Sequence, residues 1–217
     1  MIQTVDSLPR INPKEITNLN RTKPQKEKFL LFCVLCAGKS SDVMAEKLEQ
    51  LLEPVKPGGW PRYEMKATPL DYLVNLLRSG RLREVLEKHK IGKYKLLTKF
   101  VEKVKRNFDA RIVQDLYPTA EWKREALVTI PGISYKTASL YRMHCFGDKI
   151  ACLDTHVLRW LRNEGFKGVP KASPSNWDVY RHWENVFLGE CYKRDVEPNH
   201  LDLDLWKKAT KRKSVRI

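Results

Sequence analysis

The chain has 217 residues, and its 41 lysine and arginine residues against 26 aspartate and glutamate residues give a net charge of +15. This length allows one large domain or two small lobes. The positive charge suits binding to a polyanion such as nucleic acid, because binding releases the counterions of the polyanion. A generally basic protein would show the same excess of positive charge. No stretch approaches the ~20 apolar residues of a membrane span and no signal peptide is visible, so we expect an intracellular protein, in the cytoplasm or nucleoid or in a nucleus.

The apolar spacing predicts helices along almost the whole chain. Residues 1–24 contain three prolines and are expected to form an extended arm or a short helix. An apolar helix then runs to Cys36, and a break at 37–38 precedes an amphipathic helix over 43–52. Residues 54–69 hold four prolines and predict a loop. Further helices are expected over 69–79, 81–88, 93–107, 120–130, 135–146, 155–164, 176–188 and 201–209.

The cysteines do not indicate a disulfide framework, because their number is odd. They are Cys33, Cys36, Cys145, Cys152 and Cys191. The Cys33–Cys36 pair has the spacing of some redox and metal sites, but it lies in the apolar run FLLFCVLC. We therefore expect buried core thiols there.

Residues 130–138, IPGISYKTA, predict a tight hairpin between two helices. Pro131 ends the first helix, and Gly132 allows a backbone conformation that costs other residues energy. Ser134 is the expected N-cap of the second helix, Tyr135 to Phe146. Because the free amides at such a helix start can hold a phosphate, we expect Gly132 and Ser134 to bind one through the backbone.

This segment resembles the helix-hairpin-helix motif of the endonuclease III-like DNA glycosylase superfamily, whose motif reads roughly L-P-G-V-G-x-K-T-A. The segment LDTHV at 153–157 resembles the V-D-T-H-V that follows in the family, and Asp154 comes 18 positions after Lys136, as in endonuclease III. The similarity covers roughly residues 25–165. Two departures are visible: Ser134 replaces the second glycine, and only one cysteine follows Asp154.

The missing cysteines exclude the four-cysteine iron–sulfur cluster of endonuclease III-like enzymes from that region. The resemblance therefore favours the cluster-free branches, including the small archaeal-type 8-oxoguanine glycosylases. It implies no cofactor and no catalytic metal, although hairpins of this family can hold a monovalent cation through backbone carbonyls.

The resemblance also implies the roles of the site residues. Lys136 would be the nucleophile that attacks C1′ of the damaged nucleoside, and Asp154 would stabilise the positive charge that develops on the sugar. Asp154 alone would also fit the N-cap of the next helix. We expect Tyr135 and His156 among the DNA contacts, although His156 fits a packing role equally well.

Residues 91–95 resemble the turn that the family inserts into the duplex. Either Lys93 or Tyr94 would fill the gap left by an extruded nucleotide, although a plain surface turn fits as well. The aromatic residue that stacks on the extruded base stays open. The candidates are Trp60, Trp122, Trp177, Trp183 and Trp206.

The implied architecture is all-α with two lobes. A helical barrel over 40–150 contains the helix-hairpin-helix, and residues 1–39 and 151–217 form the second lobe. Lys136 lies on the barrel side of the cleft between them and Asp154 on the other side.

The implied function is base-excision repair by a monomeric DNA glycosylase and abasic-site lyase that acts on double-stranded DNA with a damaged base, foremost 8-oxoguanine. Lys136 favours a lyase over a purely hydrolytic enzyme. Two alternatives remain open at this stage. The base could be an oxidised pyrimidine or a mismatched uracil or thymine, or the chain could be a non-catalytic helix-hairpin-helix DNA-binding protein.

Overall fold

The computed structural model describes residues 8–53, 68–106 and 120–214, and these ranges contain ten α-helices and no strand. The helices are α1 (Lys23–Cys36), α2 (Ser41–Leu51), α3 (Pro69–Arg78), α4 (Leu82–Lys88), α5 (Tyr94–Arg106), α6 (Ala120–Val128), α7 (Tyr135–Phe146), α8 (Thr155–Asn163), α9 (Trp177–Lys193) and α10 (Pro198–Ser214). The expected all-α fold is confirmed. None of the helices in the described ranges is long and apolar enough to cross a membrane.

The helix ends follow local capping chemistry. Thr68 accepts a hydrogen bond from the Asp71 amide at 3.3 Å, and its own amide donates to Asp71 Oδ2 at 3.1 Å, so α3 begins with a reciprocal pair of caps. Helix α7 has the expected bounds and ends at Gly147, whose φ of +72° suits a left-handed C-cap. The sequence underestimated α9, which continues to Lys193, and most of the expected loop over 54–69 lies outside the described residues.

Two large hydrophobic cores, with a small cluster of Met143, Ile150 and Cys152, organise the described residues. The first collects apolar side chains of α1–α5 and one face of α7. The second collects side chains of α8, α9 and α10 together with Ala151 and Leu153. Helix α7 takes part in both, because Tyr141 is buried in the first core while Tyr135 packs against the second.

Helix α1 packs with the first core. Residues 29–35 are all buried, as expected of a helix that is apolar on every side and must be surrounded by other helices. The predicted lobes placed residues 1–39 with 151–217, whereas α1 shares its core with α2 and α7. The lobe boundaries themselves stay a prediction.

Candidate active site

A cavity of about 690 Å³ lies where the end of α1, the start of α7, the start of α8 and the middle of α10 come together. Lys136, Asp154 and His156 all line it. The structure therefore brings the predicted amine and carboxylate into one cavity. Apolar side chains form much of the remaining wall: Ile16, Phe32, Leu140, Leu203 and Trp206.

Lys136 reaches the cavity because the hairpin fixes the first turn of α7. Ser134 is the N-cap, and its Oγ accepts from the Thr137 amide at 3.3 Å. Gly132 has φ +91°, a conformation that side-chain-bearing residues rarely adopt. The first helical amides, including those of Tyr135 and Lys136, have no carbonyl one turn earlier in the helix to which they can donate.

Asp154 caps α8 and lines the cavity at the same time. Its Oδ1 accepts from the amides of His156 at 2.7 Å and Val157 at 2.9 Å, so the expected N-cap is present. Burial and the neighbouring carboxylate of Asp202 raise the pKa of Asp154 above its usual range, although the two amide bonds oppose this shift. The protonation of the Asp154 carboxyl group is therefore sensitive to these neighbours.

Asp202 is a cavity residue that the sequence analysis missed. It lies on α10, is almost fully buried, and its Oδ2 is 3.2 Å from His144 Nε2. The other ring nitrogen of His144 is 2.7 Å from Thr17 Oγ1. Asp202 and Trp206 are four residues apart on one helix and therefore share a face. This spacing is the sequence feature that could have indicated Asp202 as a cavity residue.

The other predicted DNA contacts have different surroundings. The Tyr135 ring packs against the Trp177 ring, with centroids 4.9 Å apart, and thus belongs to the second core. His156 Nδ1 is buried without a hydrogen-bond partner among the described residues. The roles of Gly132, Ser134, Tyr135 and His156 in DNA binding stay predictions.

The Lys93 side chain is directed back into the protein. Its Nζ donates to the carbonyl oxygens of Ala37 and Val34, at the C-terminal end of α1. Burial, with Lys39 and Lys136 nearby, lowers the pKa of Lys93. Tyr94 begins α5 and packs half-buried against the first core. Insertion of either side chain into a duplex stays a prediction.

Cys33 is buried as expected, and Cys36 is half-buried at the cavity wall. Burial raises the pKa of the Cys33 thiol well above its usual range and that of Cys36 to about 12, so both are poor nucleophiles at neutral pH. In the part of the chain that the structure describes, no three His, Cys, Asp or Glu side chains are grouped to hold a metal ion. The cofactor expectation stays a prediction.

Among the candidate stacking residues, Trp206 lines the cavity. Trp177 and Trp183 pack in the second core. Trp60 and the side chain of Trp122 lie outside the described residues.

The chain is similar to several known glycosylases. An 8-oxoguanine DNA glycosylase/AP lyase of Fusobacterium nucleatum is 32% identical over 145 residues, which are 62% of this chain and 65% of the relative. The protein of the same description from Saccharolobus solfataricus is 25% identical over 133 residues, which are 59% of this chain and 64% of the relative. The matches thus span just under two thirds of these relatives. No protein-family model matches the chain.

Solved structures show the same fold. The Methanocaldococcus jannaschii 8-oxoguanine glycosylase/lyase, in complex with 15mer DNA containing 8-oxoguanine, superposes with a TM-score of 0.68 at 23% identity, over 92% of this chain and 87% of that one. The 8-oxoguanine DNA glycosylase of Thermotoga maritima gives a TM-score of 0.59 at 23% identity, over 89% and 85% of the two chains. The predicted resemblance is confirmed, and the fold is that of these glycosylases.

Proposed function

We propose that this chain is a DNA glycosylase and abasic-site lyase that excises 8-oxoguanine from double-stranded DNA. The observation that carries the proposal is the single cavity lined by Lys136 and Asp154 beside a helix-hairpin-helix. Relatives described as 8-oxoguanine DNA glycosylase/AP lyase support the choice of base and of a lyase.

Lys136 is the favoured nucleophile among three neighbouring lysines, of which Lys39 and Lys136 line the cavity. Lys39 Nζ donates to the Ile91 carbonyl at 2.9 Å, and Lys93 Nζ donates to the Ala37 carbonyl. Lys136 Nζ has no hydrogen-bond acceptor among the described residues. An amine without a competing partner is the one available to a substrate carbon.

The reaction follows from this arrangement. The neutral amine of Lys136 attacks C1′ as the C1′–N9 bond breaks, and the bond's electron pair leaves with the base, which takes up a proton. The ionised Asp154 stabilises the positive charge that develops on the sugar. Opening of the sugar ring gives a Schiff base between C1′ and Nζ. Loss of a C2′ proton then expels the 3′ phosphate by β-elimination, and water releases the lysine.

The charge of the chain supports a duplex as partner. The hairpin amides of Gly132 and Ser134 would hold one phosphate, and the net charge of +15 favours association with the rest of the backbone. We propose that the protein acts as a monomer and in the compartment that holds the DNA. No step above requires a metal ion or a redox cofactor, and a monovalent cation at the hairpin would serve only DNA binding.

The test uses duplexes that carry 8-oxoguanine, thymine glycol, uracil or a preformed abasic site, with borohydride added to capture a Schiff base. We expect excision and capture on 8-oxoguanine, loss of both in Lys136→Gln, and loss of excision in Asp154→Asn. Asn is as good an N-cap as Asp, so Asp154→Asn should remain folded. Lys167→Gln, at an exposed lysine, is the control for loss of one positive charge.

Each alternative predicts a different result. Excision of thymine glycol or uracil in place of 8-oxoguanine would change the base and retain the mechanism. Binding of every duplex without excision or capture, even at the abasic site, would indicate a non-catalytic DNA-binding protein and overturn the proposal.

A further inference from the structure

A buried polar cluster connects the helix that carries Lys136 to the segment that carries Asp154. We call it the polar cluster, and its members are Arg124 on α6, Ser139 on α7, and Tyr180 and Glu184 on α9. Each of the four is at most 4% exposed. None of them lines the cavity, so the proposed chemistry leaves them without a role.

The charged half of the polar cluster joins three helices, α6, α7 and α9, to the segment at Ala151. Arg124 Nη1 and Nη2 donate to the two Glu184 carboxylate oxygens at 2.6 and 3.0 Å. Nη1 is also 3.2 Å from Ser139 Oγ, and the Ala151 amide donates to Glu184 Oε1 at 2.8 Å. Glu184 therefore holds the backbone three residues before Asp154, while its partner Arg124 contacts α7.

The uncharged half is built around one oxygen atom. The Tyr180 hydroxyl donates to the Ala151 carbonyl at 2.7 Å and accepts from the Leu153 amide at 3.1 Å. It is also 3.3 Å from Ser139 Oγ. Leu153 directly precedes Asp154, and Ser139 lies one helical turn after Lys136. One phenol oxygen thus joins the two chain segments that present the amine and the carboxylate.

Stability alone does not explain such a cluster. A buried ion pair can often be replaced by well-packed apolar residues without loss of stability, and both sides of this junction already have hydrophobic cores. Apolar packing is non-directional, whereas hydrogen bonds require defined distances and angles. The polar cluster therefore fixes the position of residues 151–153 relative to α7.

We propose that Tyr180 and Glu184 are positioning residues, which hold residues 151–153 against α7 so that Asp154 faces the sugar carbon that Lys136 attacks. The inference rests on the proposed function. Since misplacing a reacting group by about 1 Å can cost on the order of 100-fold in rate, loss of these bonds should slow the chemistry. DNA affinity should remain, because the hydrogen bonds of the polar cluster end on Ser139 and residues 151–153 and not on the hairpin residues Gly132 and Ser134.

Tyr180→Phe tests the proposal, because it removes one oxygen and keeps the ring. The centroid of this ring lies 5.6 Å from that of the Tyr135 ring. Tyr141→Phe is the matched control: this tyrosine is equally buried, on α7, and its hydroxyl has no hydrogen-bond partner among the described residues. We expect Tyr180→Phe to lower the single-turnover rate of base excision about 10-fold or more. Its Kd for the duplex should stay within about twofold, and Tyr141→Phe should match the wild type in both measurements.

A double-mutant cycle separates positioning from a general loss of structure. On a preformed abasic site, Lys136 should retain residual strand cleavage in the Asp154→Asn background. If Tyr180 acts through Asp154, adding Tyr180→Phe to Asp154→Asn should cause almost no further loss of rate. Equal losses in both backgrounds would overturn the proposal. Ser139→Ala, which removes the α7 side of the same bonds, replaces Tyr180→Phe if that variant does not fold.

The outcomes also separate this inference from the proposed function. If the wild type is active and Tyr180→Phe excises the base as fast as Tyr141→Phe, the positioning role is overturned and the proposed glycosylase function stands. A wild type that neither excises a base nor forms a Schiff base on any duplex would overturn both.

Discussion

Gly132 offers a quantitative test of the hairpin as the phosphate-binding element. Its φ is +91°, and a Cβ built there would lie 3.2 Å from Leu96 Cγ. Gly132→Ala therefore adds backbone strain of about 1–3 kcal/mol and a contact that only a shift of Leu96 or of the hairpin relieves. Gly165 has φ +93° with no atom within 4 Å of its built Cβ. Gly165→Ala is thus a control with equal strain and without the steric contact.

The two variants should differ in DNA binding more than in stability. For a chain of this size, about 1–3 kcal/mol of strain lowers Tm by roughly 2–12 °C, and we expect both variants in this range. A hydrogen bond from a backbone amide to a charged group is worth about 1.5–3 kcal/mol. Because a hairpin displaced by Leu96 loses this alignment, Gly132→Ala should weaken duplex binding about 10- to 100-fold, whereas Gly165→Ala should not.

Fluorescence anisotropy with a duplex that carries an uncleavable abasic-site analogue measures this difference. The salt concentration must be equal throughout, since phosphate contacts make Kd strongly salt-dependent, and the temperature must lie well below both Tm values. Equal Kd values for Gly132→Ala and Gly165→Ala would refute the assignment of the hairpin to phosphate binding.

Two further predictions concern the cavity. The pKa of Asp154 is raised by burial and by Asp202, and the ionised form is the active one, so the excision rate should fall as the pH drops through this raised pKa. Asp202→Asn removes one negative neighbour and should move the acidic limb of the pH–rate profile to lower pH. The control Asp204→Asn, at an exposed carboxylate on the same helix, should leave the limb in place. An acidic limb that stays in place in Asp202→Asn would contradict the assignment. Trp206→Ala should slow excision of 8-oxoguanine about 10- to 100-fold, since stacking on a base is worth about 1–3 kcal/mol, and should spare cleavage at a preformed abasic site, where no base remains to be stacked. Equal losses on the two substrates would exclude stacking as the role of Trp206.

The parts of the site that the sequence predicted correctly are local in the chain. Ser134 and Asp154 were identified as caps because a cap and the amides it accepts from lie within three residues. The start of α7 at Tyr135 followed from the Ser134 cap for the same reason. In each case the interacting groups are close enough in sequence for residue types alone to define the geometry.

The parts that the sequence missed depend on contacts distant in the chain. Asp202 meets His144 across 58 positions, and Glu184 meets Arg124 across 60. Lys93 was expected either to enter the duplex or to lie in a plain surface turn, and neither expectation indicated that its Nζ would donate to carbonyls at the end of α1, more than 50 positions earlier. The rules of helical periodicity and helix capping describe one helix at a time. They therefore cannot show which distant helix a charged side chain contacts.

The placement of Lys136 follows from the three faces of α7. Tyr135 and Ser139, four residues apart, face the second core and the polar cluster. Ala138, Tyr141 and Cys145 face the first core. Because positions three and four apart share a face, Lys136 and Leu140 occupy the face between these two, and both line the cavity. A rotation of α7 that moved Lys136 away from Asp154 would expose one core and break the bonds of Ser139. The direction of the amine is therefore fixed by packing on both sides of its helix, and in the proposed mechanism side chains outside the cavity position the nucleophile.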